Sequence, residues 1–363
     1  MNQTTYIDTR QLLVILFLSR IFTVLTFTPQ GDERISGSAI LLGQFLSCLL
    51  QIALLVPAWL LYRRYPRANV LDCASVQSPH LGAILSGIYA LFFLVNAIYT
   101  VASFDFFLTT AIYPQSSSWL PLVLLMAVAW YGAHVGIEPL SRVAGFLFVG
   151  VLLSGIFIAL ALIPRYDLSN WVSPLFDGLE PVWKAAWGSM TRSTELAAVL
   201  LLVPMVKGNL KTGVLWWQVL TLVAFELIGL GTLLALGEYA GTRLFPAYTL
   251  STIAEFSIFQ RMDALHMAVW VFLAVLKTAL YLYLSALCLR RILPQRQKKF
   301  GLPFCTVVIL VGGVWLARQS GLLVSIASPF GGALPLVILV ALCPLALWIW
   351  DGHKRGKEAH HGT

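Results

Sequence analysis

One polar stretch decides how this sequence folds: Gly188-Ser189-Met190-Thr191-Arg192-Ser193-Thr194-Glu195. It interrupts an otherwise apolar segment, residues 179–206. The eleven apolar residues after it, 196–206, cover about 16 Å at ~1.5 Å per residue, which is too little to cross a ~30 Å hydrocarbon core. Backbone that leaves the helix at membrane depth is tolerated where it lines a cavity or is buried in protein. The stretch therefore predicts a broken helix beside a binding site.

The first apolar segment carries a similar interruption, where Ser19-Arg20 separates Leu12–Leu18 from Ile21–Thr28. If ten helices divide into two sets of five, helices 1 and 6 hold corresponding positions in two sets of opposite orientation. Interrupted helices at such positions are typical of a transporter binding site. In the alternative interpretation, an outer loop runs to residue 194, and Arg20 pairs with an acid without a further role.

The composition places the whole chain in a membrane. Of its 363 residues, 59% are hydrophobic and 11% are charged, and the mean hydropathy is +0.83. A soluble domain carries about a quarter charged residues, so water cannot be the solvent for most of this chain. The apolar runs, such as 143–163 and 332–350, are continuous rather than alternating, which favours helices over a β-barrel.

The apolar runs predict an all-α membrane protein with ten transmembrane helices and a leucine-transporter-like five-plus-five inverted repeat, in which helices 1 and 6 are broken. Residues 1–363 form a single transmembrane domain, with a first repeat at about 9–163, a second at about 179–350, and a short cytoplasmic tail, 351–363. The predicted helices span 9–29, 36–61, 80–111, 119–134, 138–163, 179–206, 213–237, 263–291, 302–319 and 322–350.

The distribution of basic residues predicts the orientation. With the N-terminus inside, fifteen of the 24 Lys and Arg residues fall in inner segments, seven fall in outer segments and two lie within helices. Because basic loops remain on the cytoplasmic side, we expect both termini in the cytoplasm. The net charge of +8 then follows from the inner loops, and no nucleic acid partner is expected.

Three ionisable residues are expected near the level of the site: Arg20 and Glu195 at the two breaks, and Lys277 near the middle of helix 8. Such residues cost at least a few kcal/mol in lipid unless they are paired or hydrated, and they usually mark a ligand or ion route. Arg20, with free N–H groups of Ile21 and Phe22, is expected to hold a ligand carboxylate. Glu195, or the carbonyl groups of 188–191, is expected to hold an amino group.

Two further interpretations of these charges stay open. Lys277 takes the place where many transporters bind Na⁺, which would make the protein independent of sodium or sensitive to protons. Alternatively, Glu195 pairs with Arg20 or Lys277 as a fixed internal salt bridge. Asp105 and Glu226 are also buried by position, but no role is assigned to either.

The predicted binding residues come from helices 1, 3, 6 and 8. They are Ser19, Arg20, Ile21, Phe22, Asn96, Tyr99, Thr100, Gly188, Thr191, Ser193, Thr194, Glu195, Lys277 and Tyr281. Histidines without metal-ligand spacing and cysteines without a paired motif predict no metal and no cofactor. The sequence contains no catalytic motif, so an enzyme is not expected.

One part of the chain resembles a known family. Phe245-Pro246-Ala247-Tyr248 precedes residues 258–265, Ile-Phe-Gln-Arg-Met-Asp-Ala-Leu, and a helix with Trp270, Lys277 and Tyr281-Leu282-Tyr283 follows. This stretch is similar to the spore germination protein family, the permease-like B subunits of nutrient germinant receptors. That family is a branch of the amino acid–polyamine–organocation superfamily.

The resemblance implies a ten-helix, leucine-transporter-like fold with a nutrient site, for an amino acid or a similar molecule, among helices 1, 3, 6 and 8. It also implies a larger membrane subunit and a lipid-anchored subunit as partners, in the inner membrane of a bacterial spore. Helix 1 departs from the superfamily, which usually has a Gly-rich break where this chain has Ser19-Arg20. A nutrient-sensing receptor subunit and a proton-coupled amino acid transporter remain as alternatives.

Overall fold

The computed structural model describes residues 6–26, 35–113, 119–255, 262–327 and 334–361, and almost all of them are helical. The helices are α1 (Thr9–Thr26), α2 (Gly37–Arg64), α3 (Val70–Gln77), α4 (Pro79–Phe107), α5 (Trp119–Val135), α6 (Ile137–Leu162), α7 (Glu180–Thr191), α8 (Glu195–Leu202), α9 (Leu210–Leu236), α10 (Pro246–Ile253), α11 (Asp263–Ile292), α12 (Gly301–Ala317), α13 (Ser320–Ala327) and α14 (Cys343–His361).

Within the described ranges, eight helices are long and apolar enough to cross a membrane. They are α1, α2, α4, α6, α9, α11, α12 and the segment Leu334–His353 that leads into α14. Two shorter apolar segments, Trp119–Val135 and Glu195–Met205, lie between them in the sequence. The prediction of a multi-pass helical membrane protein is confirmed, and the exact number of crossings stays a prediction.

The predicted break in the sixth helix is present, and it divides the segment into α7 and α8. Thr191 ends α7 and Glu195 begins α8, so three residues leave the helix. All eight residues of α8 are buried. Since α8 is surrounded by protein on every side, its ends need partners within the protein, and Tyr62 donates one hydrogen bond of 3.0 Å to the carbonyl of Leu200.

The predicted break in the first helix is wrong, because α1 runs without interruption from Thr9 to Thr26. Neither residue of the Ser19-Arg20 pair is Gly or Pro, and Arg is among the better helix formers. The charge of Arg20 is satisfied by side-chain contacts to another helix, so the helical backbone does not have to open around it.

Three smaller elements were not predicted. A capping box between Asn69 and Asp72 starts the short helix α3. Strands β1 (Ile7–Asp8) and β2 (Val206–Lys207) pair in parallel and join the start of α1 to the chain that leaves α8. The final segment contains a π-helical turn, Ile338–Leu342, in which Tyr89 donates a 2.7 Å hydrogen bond to the carbonyl of Leu339.

The structure describes the predicted tenth helix, 322–350, in two parts. The first part is α13, Ser320–Ala327, and the second is the segment Leu334–His353, while residues 328–333 lie outside the described residues. The segment that carries much of the family resemblance is also only partly described. Pro246 begins α10, as the sequence indicates, whereas residues 258–261 lie outside the described ranges.

One large hydrophobic cluster extends through most of the helices. Trp270 of α11 is fully buried in it, with its ring 4.7 Å from that of Phe104 and 4.5 Å from that of Phe107. In contrast, α6 presents large apolar side chains outward, with Phe146 83% exposed and Leu153 63% exposed. Monomers in water rarely expose such a surface, and a lipid environment explains it.

Close packing of α2 against α7 yields a prediction at Gly43. A Cβ atom on this residue would lie 2.6 Å from the Cβ of Ala185 and 2.9 Å from the carbonyl oxygen of Val182. We expect Gly43→Val to lower the free energy of unfolding by about 1–3 kcal/mol, since α7 must move. The measurement is unfolding of the purified protein in detergent.

The matched control for this prediction is Gly145→Val, because a Cβ atom on Gly145 of α6 meets nothing within 4 Å. The control should unfold like the wild-type protein. Equal destabilisation by both substitutions would contradict the proposed close contact and would indicate a general effect of valine in these helices.

Candidate functional site

The end of α7 is held by the side chain of Arg20. Its Nη1 donates a hydrogen bond of 2.9 Å to the carbonyl of Arg192, and its Nη2 donates one of 2.8 Å to the carbonyl of Ser189. A guanidinium group at a helix C-terminus satisfies orphan carbonyl groups and opposes the helix dipole. Arg20 is only 2% exposed, and the ring of Phe225 lies 4.9 Å from its guanidinium carbon. Arg20 therefore caps a helix.

The start of α8 is held by an ion pair between Glu195 and Lys277. Lys277 Nζ lies 2.8 Å from Glu195 Oε1, and the side chains are 6% and 0% exposed. The same carboxylate oxygen accepts hydrogen bonds from Ser19 Oγ at 2.7 Å and from Tyr281 Oη at 3.0 Å. Lys277 also donates to Thr23 Oγ1 at 2.8 Å and to the Ser19 carbonyl at 3.2 Å.

These contacts decide between the alternatives for Glu195. Its carboxylate is fully buried and pairs with Lys277, so the structure shows the internal salt bridge. The ammonium group of Lys277 lies among oxygen atoms from α1 and α8, which links three helices that are distant in the sequence. Thr194, in the gap itself, lies 2.5 Å from the hydroxyl oxygen of Tyr281 and extends the link.

A cavity of about 400 Å³ lies beside the gap between α7 and α8. It is bounded by α1, α4, the gap, α11, α13 and the π-helical turn of the last segment. The cavity is lined by seven of the predicted residues: Phe22, Asn96, Tyr99, Thr100, Thr191, Thr194 and Lys277. The sequence therefore predicted lining residues on α1, α4 and α11 and at the helix break.

The other predicted residues do not line this cavity. They are Ser19, Arg20, Ile21, Gly188, Ser193, Glu195 and Tyr281. Glu195, Ser19 and Tyr281 belong to the buried cluster around Lys277. The carbonyl of Gly188 accepts hydrogen bonds from Thr191 and Arg192, and Ser193 donates one of 3.3 Å to the carbonyl of Ser189.

The predicted role for backbone N–H groups of Ile21 and Phe22 is wrong. Both residues lie inside the continuous helix α1, where the backbone N–H groups bond to carbonyl groups one turn earlier. Ile21 is 3% exposed and packs in the core. Phe22 contributes its ring, which lines the cavity and lies 5.9 Å from the ring of Trp270.

The predicted set of binding residues left out Arg192, Thr23 and Ser103, which line the cavity. Arg192 lies within the polar stretch that marks the break, so its position could have found it. Thr23 lies one turn after Ser19 and points to Lys277. Ser103 lies one turn beyond Tyr99 on α4, so the helical spacing of Asn96, Tyr99 and Ser103 could have found it.

A broken apolar helix, a buried ion pair and an adjacent cavity define a permease-like membrane protein. Comparison with known proteins agrees, since the profile of the family described as spore germination protein matches residues 6–319. The chain belongs to this family, which confirms the resemblance seen in the sequence. The family is one of permease-like membrane proteins and is not an enzyme family.

Three proteins of Bacillus subtilis (strain 168) are similar to this chain. Spore germination protein KB is 26% identical over 290 residues, which is 76% of each chain. The putative spore germination protein YfkT is 23% identical over 330 residues, covering 87% of this chain and 89% of that protein. Spore germination protein YndE is 21% identical over 361 residues, covering 95% and 93%.

The buried ion pair yields a prediction about stability. Glu195→Gln leaves the Lys277 charge buried without its partner, so the free energy of unfolding should fall by about 3 kcal/mol or more. The double variant Glu195→Gln/Lys277→Met removes both charges and should recover much of that loss. Unfolding of the purified variants in detergent measures both effects.

Glu180→Gln is the control for this prediction, because Glu180 pairs with Lys184 at 3.0 Å on the surface and its side chain is 77% exposed. Loss of an exposed pair should cost no more than about 1 kcal/mol. If the single and double variants at Glu195 are equally stable, the two charges do not depend on each other.

Proposed function

We propose that this chain is the nutrient-sensing membrane subunit of a spore germinant receptor, and that a small molecule, most simply an amino acid, binds in the cavity beside the helix break. The observation that carries the proposal is the cavity of about 400 Å³ at the gap between α7 and α8. Membership of the spore germination protein family supplies the biological setting.

The proposed signal begins at the gap. Thr191 and Thr194, at the facing ends of α7 and α8, both line the cavity. A ligand there contacts two helix ends, of which Arg20 holds the first and Lys277, through Glu195, holds the second. Binding favours the arrangement for which the ligand has the higher affinity, and that shift is what partner subunits sense.

The proposed architecture has ten crossings in one transmembrane domain, residues 1–363, with repeats at about 9–163 and 179–350. Eight long apolar helices, together with α5 and the α7–α8 pair, supply that number. The continuous α1 sets this chain apart from the symmetrical pattern of two broken helices.

The proposed location is the inner membrane of the spore, and the proposed partners are a larger membrane subunit and a lipid-anchored subunit. The apolar outer face of α6 is compatible with either lipid or another membrane helix. Relatives named for spore germination support this setting.

A proton-coupled amino acid transporter is the second candidate. The observation in its favour is the buried Glu195–Lys277 pair, since intramembrane acid–base pairs often lie on proton routes. Lys277 brings an ammonium charge to the cluster, which favours independence from sodium. Sodium-independent accumulation of an amino acid by the purified chain in vesicles would support the transporter over a purely sensory subunit.

Germination of spores tests the receptor proposal directly. Spores that lack this chain should lose their response to particular nutrients in a panel of amino acids and sugars, and the wild-type chain should restore it. Asn96→Leu, which removes a polar group from the cavity wall, should reduce that response at unchanged protein level, as measured by loss of spore refractility.

Gly145→Val on the outer face of α6 serves as the control and should respond like wild type. If deletion leaves germination untouched but changes amino acid uptake by growing cells, the transporter replaces the receptor.

Orientation gives a further prediction. The basic loops support cytoplasmic termini, so Ser169 in the loop after α6 should face outward and Gln297 in the loop before α12 should face inward. A membrane-impermeant maleimide should label Ser169→Cys on intact cells and label Gln297→Cys only after the membrane is opened. Four native cysteines are buried and Cys343 is half-buried, so the unsubstituted chain is the background control. The reverse labelling pattern would invert the topology.

A further inference from the structure

The cavity contains a cation whose terminal nitrogens are open to a ligand. Arg192 donates from Nε to the Gly188 carbonyl at 2.9 Å, and no protein acceptor contacts its two terminal nitrogens in the part of the chain that the structure describes. This one hydrogen bond at Nε holds the guanidinium group in the gap after α7 and leaves the edge formed by its two terminal nitrogens without an acceptor. That edge has the geometry that binds a carboxylate with two parallel hydrogen bonds.

The charge of Arg192 is not balanced within the cavity. Two cationic side chains line it, Arg192 and Lys277, and the lining residues of the described chain include no Asp or Glu. Lys277 is neutralised by Glu195, which lies behind the wall and is fully buried. One positive charge therefore remains, and a partly buried charge without a counterion favours an anionic ligand.

Other polar groups converge on the same space. Ser103 of α4 lines the cavity and is 2% exposed, and its hydroxyl lies beside that of Tyr99, which lines the same space. Tyr99 and Asn96 also line the cavity, one and two turns before Ser103 on α4. Hydroxyl and amide groups on one wall can donate to or accept from a polar ligand, so a ligand with polar atoms facing α4 is favoured.

The rest of the lining is apolar and determines the remainder of the ligand. Phe22, Leu91, Phe92, Val95 and Leu339 contribute side chains to the walls. A cavity of about 400 Å³ lies near the lower end of the usual range for ligand sites, which suits a molecule of the size of one amino acid. The apolar walls favour a branched or aliphatic side chain over a charged one.

We propose that Arg192 binds the carboxylate of a small organic acid with an apolar side chain of about the size of leucine. This inference rests on the proposed function, because it names the ligand class of the same cavity. The sequence predicted that Arg20 binds the carboxylate, but both terminal nitrogens of Arg20 donate to carbonyl groups at the end of α7. We therefore assign this role to Arg192 instead.

The position of Arg192 connects the ligand to the helix break. Its carbonyl accepts the hydrogen bond from Arg20, and its side chain faces the cavity. A carboxylate bound to this residue therefore acts on the loop between α7 and α8, and the capping arginine of α1 contacts the same residue.

Ligand-dependent thermal unfolding of the purified full chain in detergent tests the inference. The three probes are L-leucine, L-leucinamide, which lacks the carboxylate, and 4-methylpentanoate, which lacks the amino group. Binding to the folded state raises the unfolding temperature with concentration. L-leucine and 4-methylpentanoate should raise it for the wild-type chain, and L-leucinamide should have a much weaker effect.

Substitution then assigns the effect to one residue. Arg192→Gln should weaken L-leucine binding about tenfold to a hundredfold, the loss expected for a charge-assisted pair, and Arg192→Lys should weaken it less. Arg165→Gln is the matched control, because Arg165 pairs with Glu255 at 2.9 Å on the surface. Unfolding without ligand shows whether each variant is folded.

Three outcomes would overturn the inference: equal shifts with L-leucine and L-leucinamide, no shift with any probe, or full L-leucine binding by folded Arg192→Gln. Spores separate this failure from failure of the proposed function. If deletion of the chain removes a nutrient response that Arg192→Gln restores at the wild-type concentration, the receptor proposal stands and the role of Arg192 is wrong. If deletion has no effect on germination, the receptor proposal itself fails.

Discussion

The charges of Lys277, Glu195 and Arg20 have to be satisfied inside the protein, and the rest of the structure depends on that constraint. A membrane offers no water to a broken helix, so the free ends of α7 and α8 need partners from other helices. Arg20 supplies donors to the end of α7, and Lys277 holds the first residue of α8. The break is therefore stable because α1 and α11, which are distant in the sequence, both contact the ends of α7 and α8.

This arrangement separates the structural charges from the charge that is available to a ligand. Glu195 and Lys277 neutralise each other, while Arg192, in the gap between the half-helices, lines the cavity and has no described acceptor at its terminal nitrogens. The same short stretch thus contributes to the link between helices and to the site. A receptor subunit and a transporter would both use such a gap, because each needs two arrangements of the half-helices with different affinity for the ligand.

The sequence predicted the positions of the helices better than the side-chain contacts between them. The sixth helix was expected to break at 188–195 because its polar residues interrupt an apolar run too short to cross alone, and the gap lies within that stretch. The expected break at Ser19-Arg20 followed from the same reasoning and was wrong. A long polar side chain can leave the helix backbone intact when a partner is within reach, and only the neighbouring helix shows whether one is.

By itself, the sequence determined that the chain is a helical membrane protein, that its sixth helix is interrupted, and that buried ionisable residues lie near the interruption. Hydrophobic runs and the cost of charge in lipid are properties of local sequence, so these features could be read directly. Only the tertiary structure decided that Glu195 pairs with Lys277, that Arg20 caps α7, and that Arg192 faces the cavity. Those assignments depend on which side chains from distant helices come within about 3 Å of each other. The spacing of residues along the sequence does not determine such distances.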